Sequence, residues 1–163
     1  HTCTWGDIVP ELPTFRLLVT GSRSWKDPAP IEQAIYDMAM EAAQLGKDLV
    51  VVHGDCRGAD KLAQAVVLRQ RARGWRHIHE EAHPAPWEDP CIERCLPGHR
   101  RLHANGTDFC PSAGTYRNEL MVGLGADVCF AFFKDQSNGT RKCAKLAEAA
   151  GIHVIPIVWE KLS

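Results

Sequence analysis

Four residues in one irregular stretch carry soft-metal chemistry. Cys91, Cys95, His99 and Cys110 follow the spacing C-x3-C-x3-H-x10-C. Thiolate and imidazole are the donors Zn2+ prefers, and four of them close a tetrahedral structural site. Residues four apart share a helical face, but Pro97 and Gly98 bend the chain between Cys95 and His99. That bend is expected to bring Cys110 into the fourth position. His103, the next imidazole at the same interval, is the alternative to His99. The competing reading is a chance cluster of free thiols. The chain has seven cysteines, an odd number, so a complete intramolecular disulfide framework is not expected. Cys56, Cys129 and Cys143 fall in regular elements and read as small buried hydrophobes.

A second chemistry gathers at three short loops. Thr20, Gly21, Ser22 and Arg23 join a glycine to hydroxyls and a cation. Gly54, Asp55 and Arg57 repeat the combination after His53. Ser137, Asn138, Gly139 and Thr140 put hydroxyls and unpaired N–H groups at a helix start. Each loop alone reads equally well as a turn or an N-cap. Together they favour an anion, because helix N-termini carry partial positive charge and free donors. Phosphate is the natural ligand, with Arg23, Arg57 and Arg117 as counter-charges and Arg117 as a candidate bidentate clamp. Asp55, Asp60 and Glu119 are the carboxylates available as general bases. Asp60 otherwise caps a helix start and Asp55 braces its loop. Trp25 stacks on a base or packs internally. His53, at the end of a buried strand, reads as a hydrogen-bonded structural residue.

The elements that position these loops follow from hydrophobic periodicity. Phe15 to Thr20 is a short apolar run and reads as a buried strand. A helix starts at Asp27–Pro30, with Ile31, Ala34, Ile35, Met38, Ala42 and Leu45 on its apolar side and Gly46 as its stop. Leu49 to His53 is a second strand, and Ala59 to Arg73 a second helix ending at Gly74. Trp75 to Glu80 reads as a third, polar strand. From Ala82 to Ser112 the pattern breaks down under Pro84, Pro86, Pro90, Pro97 and Pro111. A structureless loop of about thirty residues is uncommon in a compact domain, so something other than a core must hold this insert. Regularity returns with a helix over 113–122, a strand over 126–133, a helix from Gln136–Thr140 to Gly151, and a last strand over 153–158. Alternating helices and near-continuous apolar strands predict an α/β fold with a mainly parallel sheet of about five strands. Ligands of such sheets sit at the strand carboxyl ends.

Length and charge narrow the field. At 163 residues the chain suits one domain, expected over residues 14–163, with 1–13 as an extension. Lys and Arg number 19 against 20 Asp and Glu, a net charge of −1. A bulk electrostatic drive toward nucleic acid is thereby disfavoured. No apolar stretch approaches the roughly 20 residues of a membrane span, and no secretory leader is visible at the N-terminus. The chain lacks both G-x-G-x-x-G after its first strand and a Walker A motif, which disfavours a standard dinucleotide site or an NTPase.

Four segments together carry a resemblance. They are residues 17–25 (LLVTGSRSW), 52–60 (VHGDCRGAD), 113–121 (AGTYRNELM) and 131–140 (AFFKDQSNGT). In this order they resemble the YspA-like branch of the SLOG superfamily, over about residues 15–158. The resemblance implies a Rossmann-like three-layer fold that binds nucleotides or nucleotide-derived ligands. It implies Gly21, Ser22, Arg23, Gly54, Asp55, Arg57, Asp60, Arg117, Asn118, Gly139 and Thr140 as ligand-binding residues. The related LOG phosphoribohydrolases have P-G-G-x-G-T-x-x-E. Here Cys143 takes the Glu position and the leading Pro-Gly-Gly is absent, which argues against N-glycosidic hydrolysis.

The leading reading is therefore a binding or sensing module for a nucleotide-like phosphate ligand, with a structural Zn2+ in a knuckle over 82–112. The alternatives are a nucleotide-processing hydrolase and an interaction module that binds protein or nucleic acid through the insert. A homo-oligomer is left open. The protein reads as cytoplasmic, in the host cytoplasm if phage-encoded.

Overall fold

The computed structural model describes residues 10–160. The elements run β1 (Thr14–Gly21), α1 (Pro28–Gln44), β2 (Asp48–His53), α2 (Ala59–Ala72), β3 (Ile78–Ala82), β4 (Arg101–Leu102), β5 (Asp108–Phe109), α3 (Ala113–Gly123), β6 (Val128–Phe133), α4 (Asn138–Ala149) and β7 (His153–Val158). Five strands form one parallel sheet in the order β3-β2-β1-β6-β7. The predicted α/β fold with a parallel sheet is what the chain adopts.

The three layers follow from side-chain alternation along the strands. Phe15, Leu17 and Val19 of β1, Leu49 and Val51 of β2, and Phe130 and Phe132 of β6 face one side, against Ile31, Ile35, Val66 and Val67 of α1 and α2. Leu18, Val50, Val52 and Cys129 face the other, against Met121 and Val122 of α3 and Cys143 and Ala147 of α4. β1, β2 and β6 lie inside the sheet, and this explains their near-continuous apolar runs.

β3 lies at an edge and is polar, and its polar residues are paired. His79 Nε2 and His77 Nδ1 meet the fully buried Asp48 carboxylate at 3.0 and 2.7 Å. Burial opposes the charge on Asp48, but these hydrogen bonds and the Glu11 N–H outweigh it and lower its pKa. Glu81 forms a bidentate pair with Arg16 at 2.7 and 3.0 Å. The strand begins at Ile78 rather than at Trp75. Trp75 packs against the α1–α2 core, and Arg76 reaches Glu11. Glu11 and Pro13 of the expected extension are tied to Asp48 through backbone groups.

The insert is not featureless. A small antiparallel hairpin pairs Arg101 with Phe109 and Leu102 with Asp108. Cys110 is the only buried residue within 82–112. The insert therefore has no apolar core of its own.

Candidate functional site

The sheet order reverses between β1 and β6, because the chain moves from β1 toward β3 and then returns to the other side of β1. The crevice outside the strand carboxyl ends at such a switch point is where ligands of this architecture bind. A cavity of 450 Å³ occupies it, walled by the β1 exit (Thr20–Ser24), the β6 exit (Lys134–Ser137), the start of α4 (Gly139, Thr140, Lys142), the start of α3 (Gly114, Thr115, Arg117, Asn118), Asp60 and Trp87. The floor is bolted by Ser22, which bonds Lys134 through its side chain.

The two walls differ in character. At α4 the N-cap residue Ser137 makes no hydrogen bond to the helix backbone. Its Oγ instead lies 2.6 Å from Thr140 Oγ1. The first-turn N–H groups of this helix are thus left for another acceptor. Opposite, Asp60 is 5% exposed. Its Oδ2 accepts the N–H groups of Gly54 and Cys56 at 3.0 and 3.3 Å. Its Oδ1 is buried without a partner. Burial pushes the Asp60 pKa up, against the pull of these N–H groups and of Arg117. An orphaned buried carboxylate oxygen costs free energy unless a donor satisfies it.

The residues expected from sequence divide between two cavities. Gly21, Ser22, Arg23, Asp60, Arg117, Asn118, Gly139 and Thr140 line the main one. Gly54, Asp55 and Arg57 line a neighbouring cavity of 260 Å³ that shares Arg23, Cys56 and Trp87 with the first. Asn138 and Glu119 line neither. Asn138 accepts from Arg141, and Glu119 pairs with Arg94 at 2.6 Å outside the cavity. Asp55 bonds Lys61. Of the candidate carboxylates, Asp60 alone lines the main cavity.

The remaining expectations meet their structural outcome one by one. Arg117 is 8% exposed and not a free clamp. Its guanidinium donates to Asn118 Oδ1, Gly54 O and His83 O, and lies 3.5 Å from Cys56 Sγ, which leaves a single N–H uncommitted. Gly21 and Gly54 admit packing rather than ligand: a Cβ would collide with Ala59 at the first and with the Arg117 guanidinium at the second. Trp25 is a core residue, 3% exposed, edge-on to Phe132 and Trp159. Cys129 and Cys143 are buried as expected, but Cys56 is half-buried and lines both cavities. Cys143 stays clear of the cavity, and burial pushes its thiol pKa up. His53 is structural: its Nε2 lies 2.8 Å from Glu80, and its Nδ1 accepts the Asp55 N–H.

Sequence reasoning missed Trp87, whose ring lies 5.9 Å from the Arg23 guanidinium and closes one side of the cavity. A large aromatic in a proline-rich stretch without a core was the available signal. Lys134, Gln136 and Thr115 were not singled out, although they lie in the segments 131–140 and 113–121 that carry the resemblance.

The thiol cluster forms. The ligand atoms of Cys91, Cys95, His99 and Cys110 all lie within 4.8 Å of one another, a set able to hold a metal ion. Cys91 Sγ and Cys110 Sγ lie 3.0 and 3.4 Å from His99 Nε2, and Cys95 Sγ lies 3.7 Å from Cys110 Sγ. The expected bend is present, with Gly98 in the left-handed region at φ 75°. The hairpin then carries Cys110 back beside His99. His103 instead stacks on Phe109 at 4.3 Å. Around the cluster, the Tyr116 hydroxyl lies 3.4 Å from Cys95 Sγ and Arg100 lies 3.5 Å from Cys91 Sγ. Such outer contacts orient and neutralise metal ligands.

A five-stranded parallel sheet covered by helices on both faces, with a cavity at its switch point, defines a Rossmann-like domain. The family model described as "YspA, cpYpsA-related SLOG family" matches residues 15–89. The Gene 61 protein of Mycobacterium phage D29 is 39% identical over 140 residues, covering 86% of this chain and 94% of that protein. The chain belongs to the YspA, cpYpsA-related SLOG family. The four residues of the Cys/His cluster, which could hold a metal ion, lie beyond the segment matched by the family model. Among the described residues, no helix is long and apolar enough to cross a membrane.

Proposed function

We propose that this protein binds a nucleotide or nucleotide-derived ligand in the switch-point cavity. Its phosphate meets the first turn of α4 and Arg23, and a hydroxyl or amino group of the ligand donates to Asp60. The observation that carries the reading is Asp60, which lines the 450 Å³ cavity and whose buried Oδ1 has no partner. A phosphate alone leaves that carboxylate unsatisfied, because both are acceptors. A ligand with a phosphate at one end and a sugar or base donor at the other satisfies both walls.

Cleavage of the glycosidic bond is not expected to be fast. Charge developing on a ribosyl group calls for a carboxylate placed beside it. Cys143, at the Glu position of the LOG pattern, is fully buried as a thiol. Asp60 is the carboxylate on which a hydrolase reading would rest. We further propose Zn2+ as the metal of the thiol cluster, where three sulfurs and one imidazole suit a closed structural site, and the host cytoplasm as the setting.

Thermal-shift screening with nucleoside monophosphates, cyclic nucleotides and ADP-ribose tests the binding reading. At least one should stabilise the protein by mass action, and Arg23→Ala should abolish the effect. No stabilisation by any of them refutes it. Robust multiple-turnover release of free base, lost in Asp60→Asn, establishes the hydrolase instead.

A further inference from the structure

We infer that the metal cluster sets the geometry of the ligand cavity, so that metal binding and ligand binding are positively linked. The ligand half of this inference rests on the reading above. The geometric half rests only on a metal held by Cys91, Cys95, His99 and Cys110.

Three connections run from the cluster to the cavity wall. The Cys110 N–H donates to the Trp87 carbonyl at 2.7 Å, which fixes the backbone that presents the Trp87 ring. Phe109, the residue before this ligand, packs edge-on against that ring at 6.2 Å. The Cys110 carbonyl accepts the Ala113 N–H at 3.2 Å, at the start of α3, whose first turn lines the cavity. Trp87 in turn rests on that turn: a Cβ added at Gly114 would stand 2.9 Å from its ring.

The insert has no apolar core to hold this arrangement, and its other ties are exposed polar pairs, Arg94 with Glu119 and Arg100 with Asp108. Ile92, Leu96 and Leu102 are exposed, and Cys110 is the only buried residue of the segment. Where a segment lacks a core, metal ligation supplies the ordering free energy. Without it, three nearby thiols and an imidazole do not pin Cys110. Trp87 and the first turn of α3 then lose their anchor, while the sheet and its two apolar layers keep theirs.

The experiment uses the full chain and takes Trp87 fluorescence as the difference between wild type and Trp87→Phe. Zinc is removed with a chelator and its loss verified by metal analysis. Iodide quenching of the Trp87 signal is expected to rise at least threefold, with the signal of Trp87→Phe, which comes from the four other tryptophans, unchanged. Cys91→Ser should reproduce the stripped state, and His99→Cys, which keeps four ligands, should retain metal and the wild-type signal. Should Cys91→Ser fail to fold, chelation of the wild type decides alone. AMP titrated by calorimetry into loaded and stripped protein should bind at least tenfold more weakly to the stripped form. If AMP binds neither form, the ligand reading fails for AMP and the quenching result still decides the geometric inference. Unchanged Trp87 quenching after verified metal loss overturns it. So does a change in the signal of the four other tryptophans on chelation, which would make the cluster a support of the whole fold.

Discussion

Ser22 and Lys134 exchange two hydrogen bonds, each 2.8 Å long. The Lys134 N–H donates to Ser22 Oγ, and the Ser22 hydroxyl donates to the Lys134 carbonyl. One side chain thereby joins the exits of β1 and β6 where the sheet reverses direction. Ser22 is 2% exposed, so water does not readily replace it. Ser22→Ala leaves a donor and an acceptor without partners, at a cost of about 1–3 kcal/mol. Denaturant unfolding should show a lower midpoint with an unchanged slope. A midpoint equal to wild type would show that the two loops are held by other contacts.

Asp60 predicts a trade between stability and binding. Asp60→Asn keeps an oxygen acceptor for the Gly54 and Cys56 N–H groups and removes a carboxyl group whose charged form burial disfavours and whose Oδ1 has no partner. Relief of that desolvation should raise the melting temperature of the ligand-free protein by a few degrees. The same change removes the acceptor proposed for the ligand. Stabilisation by the best ligand of the screen should therefore vanish. A lower melting temperature would contradict the assignment of Asp60 as a strained ligand-binding carboxylate.

The metal cluster predicts its own stoichiometry. Metal analysis after exhaustive dialysis should give about one equivalent of zinc per chain, as closed tetrahedral sites hold a single ion. His99→Ala should release it and His103→Ala should not, since His103 stacks on Phe109 rather than joining the cluster. Less than about half an equivalent in the wild type would sink the zinc assignment.

Acid stability turns on Glu81. The bidentate hydrogen bonds from Arg16 hold its pKa at about 2, below the ordinary 4.5, against partial burial. The carboxylate is depressed in the folded state. Its contribution is therefore fully present above the unfolded value of 4.5 and is lost as pH falls from there to about 2. Glu81→Gln should flatten the stability profile across that window and leave the slope above pH 6 unchanged. Urea unfolding at a series of pH values measures both. An unaltered profile would show that other carboxylates control acid unfolding.

Much of the architecture was legible in the chain. The apolar runs of β1, β2 and β6 and the helical spacing in α1 and α2 are local patterns, and local patterns survive folding where both faces of an element are covered. The cysteine spacing with the Pro97–Gly98 bend gave the metal set, because short separations limit where four ligands can go. The β4–β5 hairpin has only two residues in each strand and offers no period to read.

The sequence by itself determined the order of the sheet strands and helices and the Cys91, Cys95, His99 and Cys110 set that could hold a metal ion. Tertiary structure alone decided which way each polar side chain turned. Asp55, Asp60 and Glu119 are equivalent as carboxylates in a string of letters. Only the packed structure sends Glu119 to Arg94, gives Asp55 to Lys61 and buries Asp60 on the cavity wall. Arg117 reads from sequence as a phosphate clamp or a residue of a solvated helix face; the structure instead seats it against the carbonyls of Gly54, after β2, and His83, in the insert. The reason is one of range. Periodicity is set by neighbours a few residues away, whereas a polar group's partner comes from any segment that the crossovers and strand order bring within hydrogen-bond distance.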